Sequence, residues 1–388
     1  MKKHIPLIIL IFMVSALPAR LLIGYLSSYE FLQKQRTELA KAKSGDIEIA
    51  LICNKAFSGT DFKKGADLAA EEENEKGFFF SKDNIKFQKK MILHSYHDDK
   101  INNDYLTSQI INNKHIVAAI SLQESTEAIK SSVSFEKYGI VMLSTAASDE
   151  HLTNHEFKYT FSTIPTSKSY TLSLVDFANT KKYKQIACLY SREGIGGFIL
   201  IRNFISSLIN TDISVIFSHS ITSKKEDYRE LIYDMQKKPF DAIVLGVKGD
   251  AAARIIKQMR SMGVNQPILS GISLDDTTLW NKSNQTANNI FVASIFDDTE
   301  NNKDFTHYKD KLGKNASFSA FQGYNAVKVL AAAIRKGESY NPIDIAGALK
   351  FNLKNDIGNS YFTEEGLVAK NTIFIKEMKN GKFYMPLN

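Results

Sequence analysis

Apolar residues in this chain gather into short runs that alternate with segments of helical spacing. Runs of four to eight apolar residues bounded by turn formers read as buried strands, and the amphipathic segments between them read as crossover helices. On this basis 47–53, 85–93, 116–120, 140–143 and 157–161 are expected strands, with helices over about 61–75, up to 113, and over 127–137. The stretch 115–153 is the clearest strand–helix–strand unit. Its two apolar runs each empty into a polar turn, Leu122-Gln123-Glu124-Ser125-Thr126 and Ser144-Thr145-Ala146-Ala147-Ser148. Parallel strands joined by a right-handed crossover end at the same sheet edge, so both turns should open into one crevice, where open α/β sheets bind ligands.

Ile164-Pro165-Thr166-Ser167 breaks the pattern, and the alternation then restarts. Strands are expected at 185–190, 213–217, 241–245 and 267–270, and helices at about 168–180, 196–209, 224–237 and 250–262. Two α/β units in series follow from this order, with Pro165 at a crossing between them. Residues 318–334 form a small-residue-rich helix suited to close packing, whose aromatic start could line a pocket. The tail alternates with a period of two around Asn380-Gly381 and reads as antiparallel strands.

With 388 residues, 44% hydrophobic and 23% charged, the chain can bury two cores of domain size. Its net charge of +7 is scattered among acids and forms no basic stripe, so no nucleic-acid partner is expected. Met1-Lys2-Lys3-His4 followed by an apolar run over 5–26, broken by Arg20, reads as an export signal. Residues 1–27 are either a cleaved signal peptide or a retained signal anchor; Leu17-Pro18-Ala19 is a poor cleavage site, and the run approaches bilayer length. Residues 28–45 are charged, helix-prone and without a core-sized apolar face, and read as a stalk. No cysteine follows the apolar run, so a lipid anchor is not expected. Cys53 and Cys188 fall in strands of different lobes and read as buried thiols without a disulfide.

His94, His97, Asp98 and Asp99 could be metal ligands, but side chains three apart at a strand end diverge, and the two aspartates suit the cap of the next helix. Gly194-Ile195-Gly196-Gly197 lacks the third glycine or the lysine of a phosphate loop and reads as a tight turn. A hydrolase built on Ser125 or Ser148 has no histidine partner in view. Neither a cofactor, a metal nor catalysis is expected.

The chain resembles the type I periplasmic binding proteins, in particular their leucine/isoleucine/valine-binding branch of ABC-importer receptors. The marks are Ser58-Gly59, Gly65-Ala66, Asn74 to Gly77, Asp98-Asp99, the run 139–148 with Leu152-Thr153, Gly323-Tyr324-Asn325-Ala326-Val327-Lys328, Gly358 with Phe362 and Gly366, and Asn380-Gly381. The resemblance covers about residue 47 to the C-terminus. It implies two Rossmann-like α/β lobes joined by a three-crossing hinge, lobe one over 46–165 plus 297–352 and lobe two over 166–296 plus 353–388. It also implies a small ligand between them, an ABC-type membrane permease as partner, and a periplasmic or cell-envelope location. By position, Ser125 with Thr126, and Ala146, Ala147 and Ser148, would hold a ligand carboxylate. The family's ammonium-binding acids are replaced by Ser167 and Ile272, its lobe-two aromatics by Lys248 and Ile195, and Phe62 is the obvious aromatic of a shortened first loop. An amide, or a carboxylate without an amine met by Lys248, is therefore as suitable a ligand as an amino acid. A membrane-tethered sensory or orphan module uncoupled from transport is the competing class.

Overall fold

The computed structural model describes residues 28–42, 45–53, 57–82, 85–97, 103–193, 195–297, 303–313, 316–352, 361–368 and 373–385. The first half contributes β1 (Ile47–Cys53), β2 (Phe78–Lys82), β3 (Ile85–Lys89), β4 (Met91–His97), β5 (Ile116–Ser121), β6 (Val141–Ser144) and β7 (Thr160–Ser162). A wholly parallel sheet forms in the order β4, β1, β5, β6, β7, while β2 and β3 pair as a separate antiparallel ribbon. The second half contributes β8 (Gln185–Ser191), β9 (Ser214–Ile221), β10 (Ala242–Gly246), β11 (Ile268–Ser270), β12 (Ile290–Ser294), β13 (Phe374–Lys379) and β14 (Lys382–Tyr384). Its sheet runs β14, β13, β12, β11, β10, β8, β9, parallel except for the final hairpin. Strands β5, β6, β10 and β12 are buried along their whole length. Helices cover both faces of such a sheet, which explains their uninterrupted apolar sequence.

The run 85–93 is therefore not one strand. Its first part turns back on β2, and the partner of β1 begins at Met91. Strand β12 carries no alternation to announce it and follows a turn in which Asn284, Gln285 and Asn289 all have positive φ. The tail hairpin turns at Asn380-Gly381, both left-handed, with φ of 51° and 79°, a geometry suited to these two residue types.

The helices Phe57–Lys76 and Phe318–Lys336 cross in close contact over the first sheet. A Cβ on Gly65 would stand 1.9 Å from the Ala320 carbonyl oxygen, and one on Gly323 would stand 2.2 Å from that of Phe62. Glycine is needed at both positions for the backbones to approach. Gly323→Ala is expected to destabilise the fold by about 1–3 kcal/mol through overpacking, read as a lowered denaturation midpoint; an unchanged midpoint would show that the pair can separate freely.

The segment expected to be a stalk is the helix Tyr29–Ala42, and it lies against lobe one. Arg36 and Thr37 are only 3% and 2% exposed. The Arg36 guanidinium donates to the carbonyls of Tyr138 (3.0 Å), Asn113 (3.0 Å), Ile116 (2.7 Å) and Ile111 (2.6 Å). A charged helix without an apolar stripe is thus held by a polar peg together with Ala40, which joins the lobe-one core. Among the described residues no helix is long and apolar enough to cross a membrane; the expected export signal, 1–27, lies outside them.

The chain leaves the first sheet after β7 and enters lobe two through the helix Ser167–Thr180, capped by Thr166, whose hydroxyl accepts the Ser169 N–H at 3.2 Å. It returns beyond Phe296 to the helix Phe318–Lys336, and β13 lies again in the second sheet. Residues 361–368, expected with lobe two, pack on lobe one instead: Phe362 is buried beside Phe161 with ring centroids 5.2 Å apart, and Ser162 bridges to Leu367. Cys53 and Cys188 are both buried, one in each sheet.

Candidate functional site

Each sheet changes winding direction at its first strand, since β1 lies between β4 and β5, and β8 between β9 and β10. Such switch points leave a crevice beyond the carboxyl ends of the strands. The two crevices meet in a cavity of about 850 Å³, lined from lobe one by Leu122, Ser125, Ala146, Ser148 and Gln322, and from lobe two by Tyr170, Ser191, Gly246, Lys248 and Ile272. That volume suits a small organic molecule.

The lobe-one wall is held by buried polar contacts. Ser121 stands opposite Ser144 at the ends of β5 and β6. The Thr145 N–H and hydroxyl both donate to the Ser121 carbonyl at 2.9 Å, tying the two turns together. Gln123 is 3% exposed; its amide donates to Asn103 Oδ1 at 2.7 Å and accepts from the Ser121 and Ser131 hydroxyls at 3.1 and 3.0 Å. Gln322, reaching in from the helix Phe318–Lys336, donates to the Thr145 carbonyl. The helix Ser125–Tyr138 starts at the cavity with Glu124 in the cap position, and no side chain caps it. Its first N–H groups and the Ser125 hydroxyl, which has no partner among the described residues, are suited to an anionic oxygen.

Ser148 is the seam between the lobes. Its hydroxyl lies 2.7 Å from that of Ser167, and the Ser167 N–H donates to its carbonyl at 2.7 Å. Lys248 does not stand ready for a ligand anion: its ammonium donates to Glu124 of the opposite lobe, an ion pair across the cleft with both side chains more than half exposed. Such a pair contributes about 1 kcal/mol at most and weakens with salt. Two further carboxylates line the cavity. Asp250 pairs with Lys282 at 3.0 Å, and Glu193 accepts the Ser223 N–H at 3.2 Å.

Of the residues singled out in the sequence, Ser125, Ala146, Ser148, Lys248 and Ile272 come together around the cavity. Thr126 is exposed and Ala147 is buried among Met142 and Leu152, and neither lines it. Phe62 is a correction. It is fully buried in the lobe-one core: the helix begins at Phe57 and not at Asp61, which moves this position from the first turn, beside the loop, to the second turn, packed against Phe318–Lys336. The Ile195 side chain lies outside the described residues. Gly197 and Gly246 explain the glycine run: a Cβ on Gly197 would stand 2.2 Å from the Gly246 carbonyl oxygen, so the turn seats a helix on the end of β10. His94 faces Glu48 at 3.3 Å, Asp98 and Asp99 lie outside the described residues, and no cluster of metal-ligand type occurs among the described residues. Sequence reasoning missed Gln322 and Tyr170, which reach the cavity from helices whose packing partners are distant in the chain.

Two parallel-sheet lobes with a ligand-sized cleft between their strand ends make a two-lobed binding protein. Residues 54–374 match the model of the family described as periplasmic binding protein, and the chain belongs to that family. Over 229 residues it is 24% identical to the leucine-specific-binding protein of Salmonella typhimurium, a match covering 56% of this chain and 60% of that protein's length. The fold is shared with the leucine binding protein LivK of Thermotoga maritima, at a TM-score of 0.76 and 19% identity, over 88% of this chain and 98% of that one. It is shared with the branched-chain amino acid transporter substrate binding protein LivJ of Streptococcus pneumoniae, in complex with isoleucine, at 0.74 and 20% over 87% and 97%. A solute binding protein of R. palustris in complex with benzoate superposes at 0.74 with 13% identity over 88% and 95%.

Proposed function

We propose that the protein is an exported solute receptor that captures a small organic carboxylate between its lobes and delivers it, chemically unchanged, to an ABC-type membrane permease. The observation that carries this reading is the uncapped start of the helix Ser125–Tyr138 beside Ser125 and Ser148, facing a cavity walled by both lobes. Isoleucine and benzoate, the ligands named for two structural neighbours, share a carboxylate and little else, which supports a common cradle for that group. Family membership supports a periplasmic location.

The test is a thermal-shift screen of amino acids, amides and carboxylates, because a ligand that binds only the folded state raises its melting temperature. For a ligand so found, Ser125→Ala with Ser148→Ala is expected to raise Kd at least about tenfold, since two hydrogen bonds to an anionic group are lost. An unchanged Kd would remove the cradle from the site. A second reading, a tethered sensory module feeding no importer, is favoured by the Arg36 peg, which holds the helix Tyr29–Ala42 against lobe one.

A further inference from the structure

Gln322 enters the cleft wall from the helix Phe318–Lys336, outside the strand-end turns that carry the rest of the lobe-one site. It is 6% exposed, and its amide nitrogen donates to the Thr145 carbonyl. That contact fixes which way the amide points, because a carbonyl oxygen can meet only the nitrogen end of the group. The oxygen end is therefore turned away from Thr145. It has no hydrogen-bond partner among the described residues and is not one of their unpartnered buried polar atoms, so it keeps open surface. The open space that Gln322 borders is the cavity. Ser319 stands three residues earlier on the same helix face and also lines the cavity. It is half-buried, and its hydroxyl likewise has no partner among the described residues.

We propose that Gln322, assisted by Ser319, determines specificity by accepting a hydrogen bond from an O–H or N–H on the carbon next to the ligand's carboxylate. It thereby selects a 2-hydroxy or 2-amino acid over the plain or 2-oxo acid of the same skeleton. The inference rests on the carboxylate cradle proposed above. Thr145 belongs to the turn that supplies Ala146 and Ser148, and its N–H and hydroxyl tie that turn to the Ser121 carbonyl ahead of Ser125. An amide is a short group, so an oxygen anchored through Thr145 stays within a few ångströms of the cradle. The two ends of Gln322 thus have separate tasks: the nitrogen closes the wall, and the oxygen reads the ligand. A ligand with a donor there completes the half-buried acceptor, whereas one without it leaves the acceptor unpaired and loses affinity. Sites built to hydrogen-bond one group reject the analogue lacking it more strongly than apolar pockets reject a changed carbon. An oxo oxygen would meet a second acceptor and be repelled.

The experiment is calorimetric titration of the whole protein with acids of one carbon skeleton: 2-hydroxy-4-methylpentanoate, leucine, 4-methylpentanoate and 4-methyl-2-oxopentanoate. The tighter of the two donor-bearing acids is expected to bind at least about tenfold better than the plain acid, and the oxo acid no better than the plain one. The hydroxy and amino arms separate an uncharged donor from a charged one. Gln322→Leu is expected to erase the donor-to-plain ratio while the plain acid keeps its affinity, a split that a merely structural role would not produce. Ser319→Ala, which removes no hydrogen bond of the unliganded protein, is expected to lower the ratio about threefold and gives the reading if Gln322→Leu does not fold. The proposal is overturned if the plain or the oxo acid binds as tightly as both donor-bearing acids, or if none of the acids binds. It is overturned equally by a ratio unchanged in Gln322→Leu or, where that variant does not fold, in Ser319→Ala. Undiminished binding of the plain acid to the Ser125→Ala, Ser148→Ala variant refutes the cradle instead. Loss in that variant, with the donor ratio intact in Gln322→Leu, refutes Gln322 alone.

Discussion

Arg36→Ala is expected to cost about 3–5 kcal/mol of stability, because it removes a guanidinium that satisfies four carbonyls of lobe one and leaves them without that donor. Arg36→Lys should recover only part of this, since a single ammonium cannot span the fork of positions that the guanidinium fills. Burial lowers the Arg36 pKa from 12.5 to about 10, so the group remains charged at neutral pH and its charge is compensated by carbonyl dipoles. The effect should be local to lobe one. The chain has one tryptophan, Trp280, which packs with the lobe-two core. Its fluorescence transition should therefore shift less than amide exchange around Ile111, Ile116 and Tyr138. Equal exchange rates in the variant and the natural protein would show that the helix Tyr29–Ala42 is not pegged in solution.

That peg also shows where sequence reading stops. Strands β5, β6, β8, β10 and β11 were legible because runs covered on both faces must be apolar throughout, whatever they pack against. The helix Tyr29–Ala42 was legible as a helix but not as a docked one. Its contact is made by an arginine and carbonyls, and an arginine reads as surface charge until its acceptors, 75 to 102 residues away, are known. The same limit separates the two kinds of site residue. Ser125, Ala146 and Ser148 lie at the ends of their own strands, so local pattern finds them. Gln322 meets Thr145 across 177 residues and Glu124 meets Lys248 across 124, and those meetings exist only once the helices and lobes have packed. Phe62 failed for a local reason: starting the helix four residues early moves it from the first turn beside the loop into the second turn and the core.

Acid is expected to weaken the helix pair over lobe one through Glu73. This carboxylate is 2% exposed; burial by itself would raise its pKa, but hydrogen bonds from Lys328, Lys76 and Arg335 outweigh burial and hold it at about 2, from an ordinary 4.5. Lys328 and Lys76 each donate at 2.8 Å, and Arg335 closes on the second oxygen, joining the helix Phe57–Lys76 to Phe318–Lys336. Because the folded pKa lies below the unfolded one, the unfolded chain binds more protons between pH 4.5 and 2. Stability therefore rises with pH through that window, is fully present above it, and is lost as pH falls through the folded value. The contribution is about 3 kcal/mol at neutral pH. Glu73→Gln should therefore be less stable than the natural protein by about that amount at pH 7, with the gap closing as the pH approaches the folded value. Denaturant midpoints of both proteins at several pH values across this range measure it. A gap that stays constant would mean that the carboxylate's charge does not hold the two helices, and that the glycine contact between Gly65 and Ala320 carries the pair by itself.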